Sequence, residues 1–373
     1  MNVSHRFREE SLVTIIDLDN ISLYSFEARK MDNKQAEKLL DWYYANRRIL
    51  PWREDPTPYH VWLSEIMLQQ TRVEAVKPYY ARFLERCPTI QDLANIPEET
   101  CLKLWEGLGY YSRARNLQKA AKIIVSDHGG ELPKTQEQLS NLPGIGEYTQ
   151  KAILAIAFQQ PFVAVDGNLL RVFARLEAKR FSAITPALKK EAEAYFASSF
   201  PLERPGDFNQ ALMDLGELVC LPNGDPLCER CPFASFCKAK KENDPSSYPG
   251  KKTKNQKKSE DIDVFLLYQN GKYAVHRRDD SGLLAGLFEF PNMEKRTAPE
   301  ERERFLNDKG LTIIEESPLD EARHIFTHLI WKMKGYRIEV SGNCDEYSFL
   351  TPEQIKNDCS IPSAFRHYLD QLK

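Results

Sequence analysis

The chain has 373 residues, the length of two or three domains, and an ordinary globular composition of 42% hydrophobic and 28% charged side chains. Mean hydropathy is −0.52, no run approaches the roughly 18–20 apolar residues of a membrane span, and eight cysteines are too few for a disulfide scaffold. These values exclude membrane-spanning, collagenous, secreted mini-protein and disordered classes, and the net charge of −3 taken alone argues against a nucleic-acid partner.

Residues 1–30 fit no later pattern. Arg6 and Arg8 precede an apolar stretch that Asp17 and Asp19 interrupt, so it is no signal-peptide core. The bland reading is a leader with Met31 as the true start. The absence of an export signal and of a regular cysteine framework points to a reducing cytoplasm.

From Asn33 to about Phe236 apolar residues recur at helical spacing. The runs are Ala36–Tyr44, Val61–Met67, Tyr79–Leu84, Cys101–Gly107, Leu117–Val125, Thr149–Phe158, Leu169–Leu176, Leu188–Phe196 and Phe208–Val219. Pro and Gly clusters separate them, which predicts an all-helical unit of about nine or ten helices. Lys251–Lys258 (KKTKNQKK) then has five lysines and no acid, which reads as a solvated linker before a phosphate patch. Period-two runs follow at Asp263–Tyr268, Lys272–His276, Phe288–Pro291, Thr312–Glu315 and Trp331–Val340, with helical stretches at Pro299–Asn307 and Ser363–Leu372. The expected division is an extension over 1–30, a helical domain over 31–245, a basic linker over 246–261 and an α+β domain over 262–373.

Four cysteines, Cys220, Cys228, Cys231 and Cys237, lie within eighteen residues. One CxxC flanked by two longer gaps is unlike the two separated pairs of structural zinc. A tight wrap of four thiolates suits a [4Fe–4S] cluster equally. Cys87, Cys101, Cys344 and Cys359 stand singly and read as packing residues.

Leu142-Pro143-Gly144-Ile145-Gly146 joins two amphipathic stretches. It reads as a plain helix–helix turn or as a helix-hairpin-helix, whose exposed N–H groups at the next helix N-terminus hold a phosphate. Glu65 is a lone acid in an apolar helix. It lies either on an exposed polar face with Ser64, Gln69 and Arg72, or buried with a raised pKa as a proton donor. Asp166 directly precedes the run Leu169–Leu176. A plain N-cap is the simpler reading, and a helix end that keeps it charged also suits a stabiliser of developing positive charge.

The runs WLSEIMLQQTRV, GLGYYSRARNL, LPGIGEYT, VDGNLLRV and FNQALMDLGELVC, followed by the four-cysteine tail, resemble the MutY family of adenine DNA glycosylases over about Asn33–Lys241. The likeness continues more weakly into the C-terminal part. It implies a mainly α helix-hairpin-helix glycosylase with the hairpin near 136–158 and a [4Fe–4S] region at 208–240, plus an α+β Nudix-like domain. The implied substrate is adenine mispaired with 8-oxoguanine or guanine in duplex DNA, and the implied state is a monomer in a bacterial cytoplasm, associated with the nucleoid.

By the same resemblance Glu65 protonates adenine at N7 and Asp166 stabilises or briefly captures the oxocarbenium-like sugar. Tyr148 and Asn168 organise the site, and Arg48 and Gln210 contact the base. Gln70 and Tyr110 insert into the duplex, Gly144 and Gly146 form the hairpin, and Cys220, Cys228, Cys231 and Cys237 ligate the cluster. Removing a base from a duplex requires taking it out of the stack, at a cost that inserted side chains offset. Endonuclease III-like lyases look similar but have a lysine nucleophile where this chain has Tyr148. A phenol forms no Schiff base, so hydrolysis without strand cleavage is expected.

Leu283–Pro291 resembles a Nudix-like loop, but Glu300-Glu301-Arg302-Glu303 does not reproduce the REXXEE carboxylates, so pyrophosphate hydrolysis is not expected. Phe326-Thr327-His328 resembles the lesion-reading loop, with threonine where serine is common. Leu221–Leu227 is one residue longer than the family's usual gap, a length that an Asn223-Gly224 turn absorbs. The loop holds Asp225 in place of the usual Lys or Arg, so its phosphate contact is expected to be weak. An endonuclease III-like lyase and a silent cluster-containing damage sensor are the alternatives. The charge also divides: residues 31–258 hold 32 basic and 28 acidic side chains, and residues 259–373 hold 15 and 21. The acidity therefore sits largely outside the catalytic part.

Overall fold

The computed structural model describes residues 30–250 and 257–373. The expected extension over 1–30 and the lysine run therefore lie almost wholly outside the described residues. Among the described residues, thirteen α-helices make up the first part: α1 (Asn33–Asn46), α2 (Pro51–Glu54), α3 (Pro58–Leu68), α4 (Val73–Arg86), α5 (Ile90–Asn95), α6 (Glu98–Leu104), α7 (Ser112–Asp127), α8 (Gln136–Ser140), α9 (Glu147–Phe158), α10 (Gly167–Glu177), α11 (Pro186–Ala197), α12 (Pro205–Leu218) and α13 (Lys238–Lys241). All nine expected helices are present and begin earlier than their apolar runs; most first turns are polar or led by proline, as at Pro58, Pro186 and Pro205, whereas α4 starts at the buried Val73. The four helices without a sequence signal, α2, α5, α8 and α13, have six residues or fewer, too few for a periodicity to show.

Two helices are apolar nearly all round and sit at the centre, as that pattern requires. In α3 the run from Val61 to Met67 is entirely buried, and in α9 the run from Thr149 to Ile156 is as well. They pack on each other, and α12 packs on α9, α1 and α10. Two hydrophobic cores result, one built on α2–α9 and the other on α1 and α10–α13. Met213 on α12 touches both, which places the seam between the cores beneath the candidate site.

The C-terminal part is an eight-stranded mixed sheet with β1 (Lys258–Gln269), β2 (Lys272–Arg277), β3 (Phe288–Glu289), β4 (Asn292–Met293), β5 (Leu311–Pro318), β6 (Ala322–Ile325), β7 (Leu329–Gly342) and β8 (Ser348–Leu350). Its main order is β3-β2-β1-β7-β5. The β1–β7 pair is parallel and runs from Lys258↔Leu329 to Tyr268↔Glu339, while its other strand pairs are antiparallel. α14 (Pro299–Asn307) packs on β5, α15 (Pro352–Asp358) on β2 and β8, and a 3-10 turn at Ser363–Phe365 leads into α16 (Arg366–Leu369). The expected linker over 246–261 is shortened at both ends. Tyr248 is buried against the helical core, and β1 starts at Lys258 with four polar residues ahead of the buried run from Ile262 to Leu267.

The two parts dock. Leu287 is fully buried in the α2–α9 core. Lys103 Nζ donates to the Cys359 carbonyl at 2.9 Å, and the Ile361 N–H donates to Glu106 Oε1 at 3.0 Å. No described helix is long and apolar enough to cross a membrane.

Candidate active site and cysteine pocket

Glu65 lies on α3 and is only 7% exposed, so its helix presents it to the interior and the exposed-face alternative falls. Burial lifts its pKa to about 7, against the hydrogen bond of the Tyr148 hydroxyl, while the Asp166 carboxylate adds to the rise. Such a group holds its proton near neutral pH. Tyr148, in the first turn of α9, is pushed well above the ordinary phenol value by burial and by both carboxylates, so it remains a donor.

Asp166 is the N-cap of α10 as expected. Oδ1 accepts the Leu169 N–H at 2.8 Å, and Oδ2 accepts Asn168 Nδ2 at 2.9 Å. Burial nevertheless raises its pKa and outweighs the backbone N–H groups that favour the charge. The expectation of a cap-stabilised charge thus names only the smaller effect.

From Asp166 a polar chain leads inward. Asn168 Oδ1 accepts Arg171 Nη2 at 2.9 Å, and Arg171 Nε donates to the Cys220 carbonyl at 2.8 Å. Gly216 faces this chain on α12, where an added Cβ would come within 2.8 Å of Asn168 Cβ.

Arg48 is held by two carboxylates of α12. Its Nε donates to Asp214 Oδ1 at 2.9 Å and its Nη1 to Glu217 Oε2 at 2.7 Å. Arg53 holds the other side of Asp214 at 2.7 Å, and Asp214 is fully buried. Gln210 is half-buried one turn earlier on α12. Neither Asp214 nor Glu217 stood out in the sequence, since acids in an amphipathic helix read as its wet face.

Gln70 and Tyr110 are exposed and both adopt left-handed backbone, with φ of +57° and +51°. That conformation is uncommon for side-chain-bearing residues and clusters at functional loops. Tyr110 Oη lies 2.6 Å from Thr327 Oγ1, so the helical part meets the β6–β7 turn at this point. Phe326 packs edge-on against Trp331 at 4.9 Å and shapes that turn, while His328 offers its carbonyl to the Lys258 N–H at 3.3 Å. The hairpin forms as the sequence predicts, with α8 and α9 joined through Gly144 at φ +80° and Gly146 as the N-cap of α9. The Gly144 carbonyl accepts Gln69 Nε2 at 3.4 Å, linking the hairpin to the loop of residues 69–71.

Cys220, Cys228, Cys231 and Cys237 line one cavity whose other walls include Val172, Leu176, Leu215 and Phe233. Among the described residues, no three His, Cys, Asp or Glu side chains are gathered tightly enough for a single ion; the sulfurs ring a hollow. Arg175 Nη1 donates to Cys220 Sγ at 3.2 Å, a contact suited to a thiolate. Gly224 turns the long loop with φ +72°, and Asp225 accepts Ser246 Oγ at 3.1 Å, which ties the loop back onto the fold. On α14, Glu301 accepts the Ala298 N–H at 2.9 Å and serves as a cap.

Residues 63–198 match the HhH-GPD superfamily base excision DNA repair protein family, and residues 263–371 match the NUDIX domain. The adenine DNA glycosylase of Mus musculus is 35% identical over 349 residues, covering 78% of this chain and 68% of its own. The chain belongs to the adenine DNA glycosylase family. A second relative, the adenine DNA glycosylase of Buchnera aphidicola subsp. Baizongia pistaciae, is also 35% identical, over 79% of this chain and 82% of its own. Among solved structures, a thermostable thymine-DNA glycosylase superposes with a TM-score of 0.51 at 29% identity, covering 56% of this chain and 97% of that one. This chain thus joins a base-excision repair fold to a Nudix-like domain.

Proposed function

We propose that this chain hydrolyses the N-glycosidic bond of adenine mispaired with 8-oxoguanine or guanine in duplex DNA, acting as a monomer. The observation that supports this reading best is Glu65, a carboxyl buried to a pKa of about 7 beside a second carboxylate on another helix. Protonated Glu65 donates to N7 of the extruded adenine, and the bond electrons leave with a neutral base. Asp166 faces the developing positive charge on the sugar until water attacks. Tyr148 fixes the Glu65 carboxyl and supplies no amine, so no Schiff base forms.

The cysteine pocket fits a [4Fe–4S] cluster. Four thiols around an apolar hollow, with an arginine on one sulfur, are a donor set for several irons. Cys220, Cys228, Cys231 and Cys237 would hold it. Such a cluster supplies cross-links among segments that have little core of their own.

Single-turnover base release from duplexes with A opposite 8-oxoguanine, G and T tests the reading. The first two are expected to react well ahead of the third. Equal rates on all three, or a covalent complex trapped by borohydride, would overturn it.

A further inference from the structure

We infer that Arg113 is a positioning residue that holds two duplex-inserting loops, residues 69–71 and 107–110, to each other and to the C-terminus of the helix bearing Glu65. The inference rests on the reading that Gln70 and Tyr110 insert.

Arg113 lies in the first turn of α7 and is 7% exposed. Every hydrogen bond it makes goes to a carbonyl or hydroxyl. Nη1 donates to the carbonyls of Ile66 at 3.0 Å, Met67 at 2.6 Å and Gln69 at 2.9 Å. Nη2 donates to Thr71 Oγ1 at 3.1 Å and to the carbonyls of Leu108 at 3.3 Å and Gly109 at 2.9 Å. The plane also lies over the rings of Trp105 and Tyr110, at 5.2 and 5.6 Å.

The last carbonyls of α3 have no partner inside their helix and sit at its negative end, where a cation is favoured. Burial lowers the guanidinium to a pKa of about 10, so it stays charged at neutral pH. One fork therefore reaches both left-handed residues, Gln70 from one side and Tyr110 from the other. Strained backbone persists only where its surroundings over-determine it, and Arg113 is bonded on both flanks. A lysine would present one point charge and could not span both loops.

The test uses the full chain as wild type, Arg113→Lys, Gln70→Ala and Tyr110→Ala. The probe is a duplex with 2-aminopurine replacing the target adenine opposite 8-oxoguanine, whose fluorescence rises on extrusion. Arg113→Lys is expected to keep its melting temperature within a few degrees and its brown absorbance. It is also expected to keep the pH midpoint of base release, to lose most of the fluorescence rise, and to release adenine about tenfold more slowly. Wild-type extrusion by folded Arg113→Lys would overturn the inference. So would a slowed rate with a moved pH midpoint, since Arg113 would then act on Glu65 ionisation. If Arg113→Lys does not fold, Thr71→Val removes one contact from the other side and should lower extrusion about twofold; no change overturns the inference. If Gln70→Ala and Tyr110→Ala leave extrusion intact, the insertion reading fails instead.

Discussion

The buried Glu65–Asp166 pocket and the exposed junction between the two domains use opposite physics. Glu65, Asp166 and Tyr148 work by removal from water, and burial is the largest cause of each of their shifts. Tyr110 and Thr327 meet on the surface as two exposed hydroxyls, one from each domain. Chemistry here needs a low dielectric, whereas recognition needs adjustable donors that water can replace. Changes in the pocket should therefore alter rates by orders of magnitude, and changes at the junction should alter discrimination by small factors.

The largest effect is expected from Glu65→Gln, which keeps the shape and removes the transferable proton. Single-turnover base release should fall on the order of 10³-fold with duplex affinity nearly unchanged. A loss below tenfold would remove Glu65 as the acid. Asp166→Asn should cost about 10²-fold, since an amide still caps α10 but stabilises no cation. Its melting temperature should stay close to wild type, which separates the catalytic from the capping role.

The pH dependence follows from the same burial. Glu65 must be protonated to act, and its pKa is raised from 4.5 to about 7. Base release should therefore decline about tenfold per unit above pH 7. A carboxyl whose folded pKa is raised adds stability below its unfolded value and loses it as pH rises through the folded one. Between pH 4.5 and 7 wild type should therefore lose up to about 3 kcal/mol relative to Glu65→Gln. Denaturant melts of both proteins at pH 5 and 8 measure this, and identical midpoint differences at the two pH values would contradict a buried, ionising Glu65.

Much of the pocket was legible because its signals are local. A lone acid in an apolar helix, a cap three residues before Leu169 and four clustered cysteines can each be read within one window. What escaped is nonlocal. Arg48 meets Asp214 across 166 residues, and Tyr110 meets Thr327 across 217. Leu287 leaves its own domain to fill a helical core. Strands β4, β6 and β8 have four residues or fewer, and neighbours rather than alternation define them. Arg113, Arg171 and Arg175 did not stand out in the sequence, because nothing in a helix period says which arginine is solvated by carbonyls.

The smallest expected effect is the one that separates the two regions most cleanly. Thr327 keeps the hydroxyl that meets Tyr110, and its methyl group adds bulk beside it. Thr327→Ala removes one exposed hydrogen bond, worth about 1 kcal/mol or less. The ratio of rates on A opposite 8-oxoguanine and A opposite G should therefore shrink by only a few-fold. The pH midpoint should not move, because no ionising group of the pocket lies at that contact. Thr327→Ser retains the donor and should preserve the ratio. If Thr327→Ala instead slows both substrates equally and by more than tenfold, the junction contributes to base extrusion itself, and the division between a desolvated chemical pocket and a solvated reading surface fails.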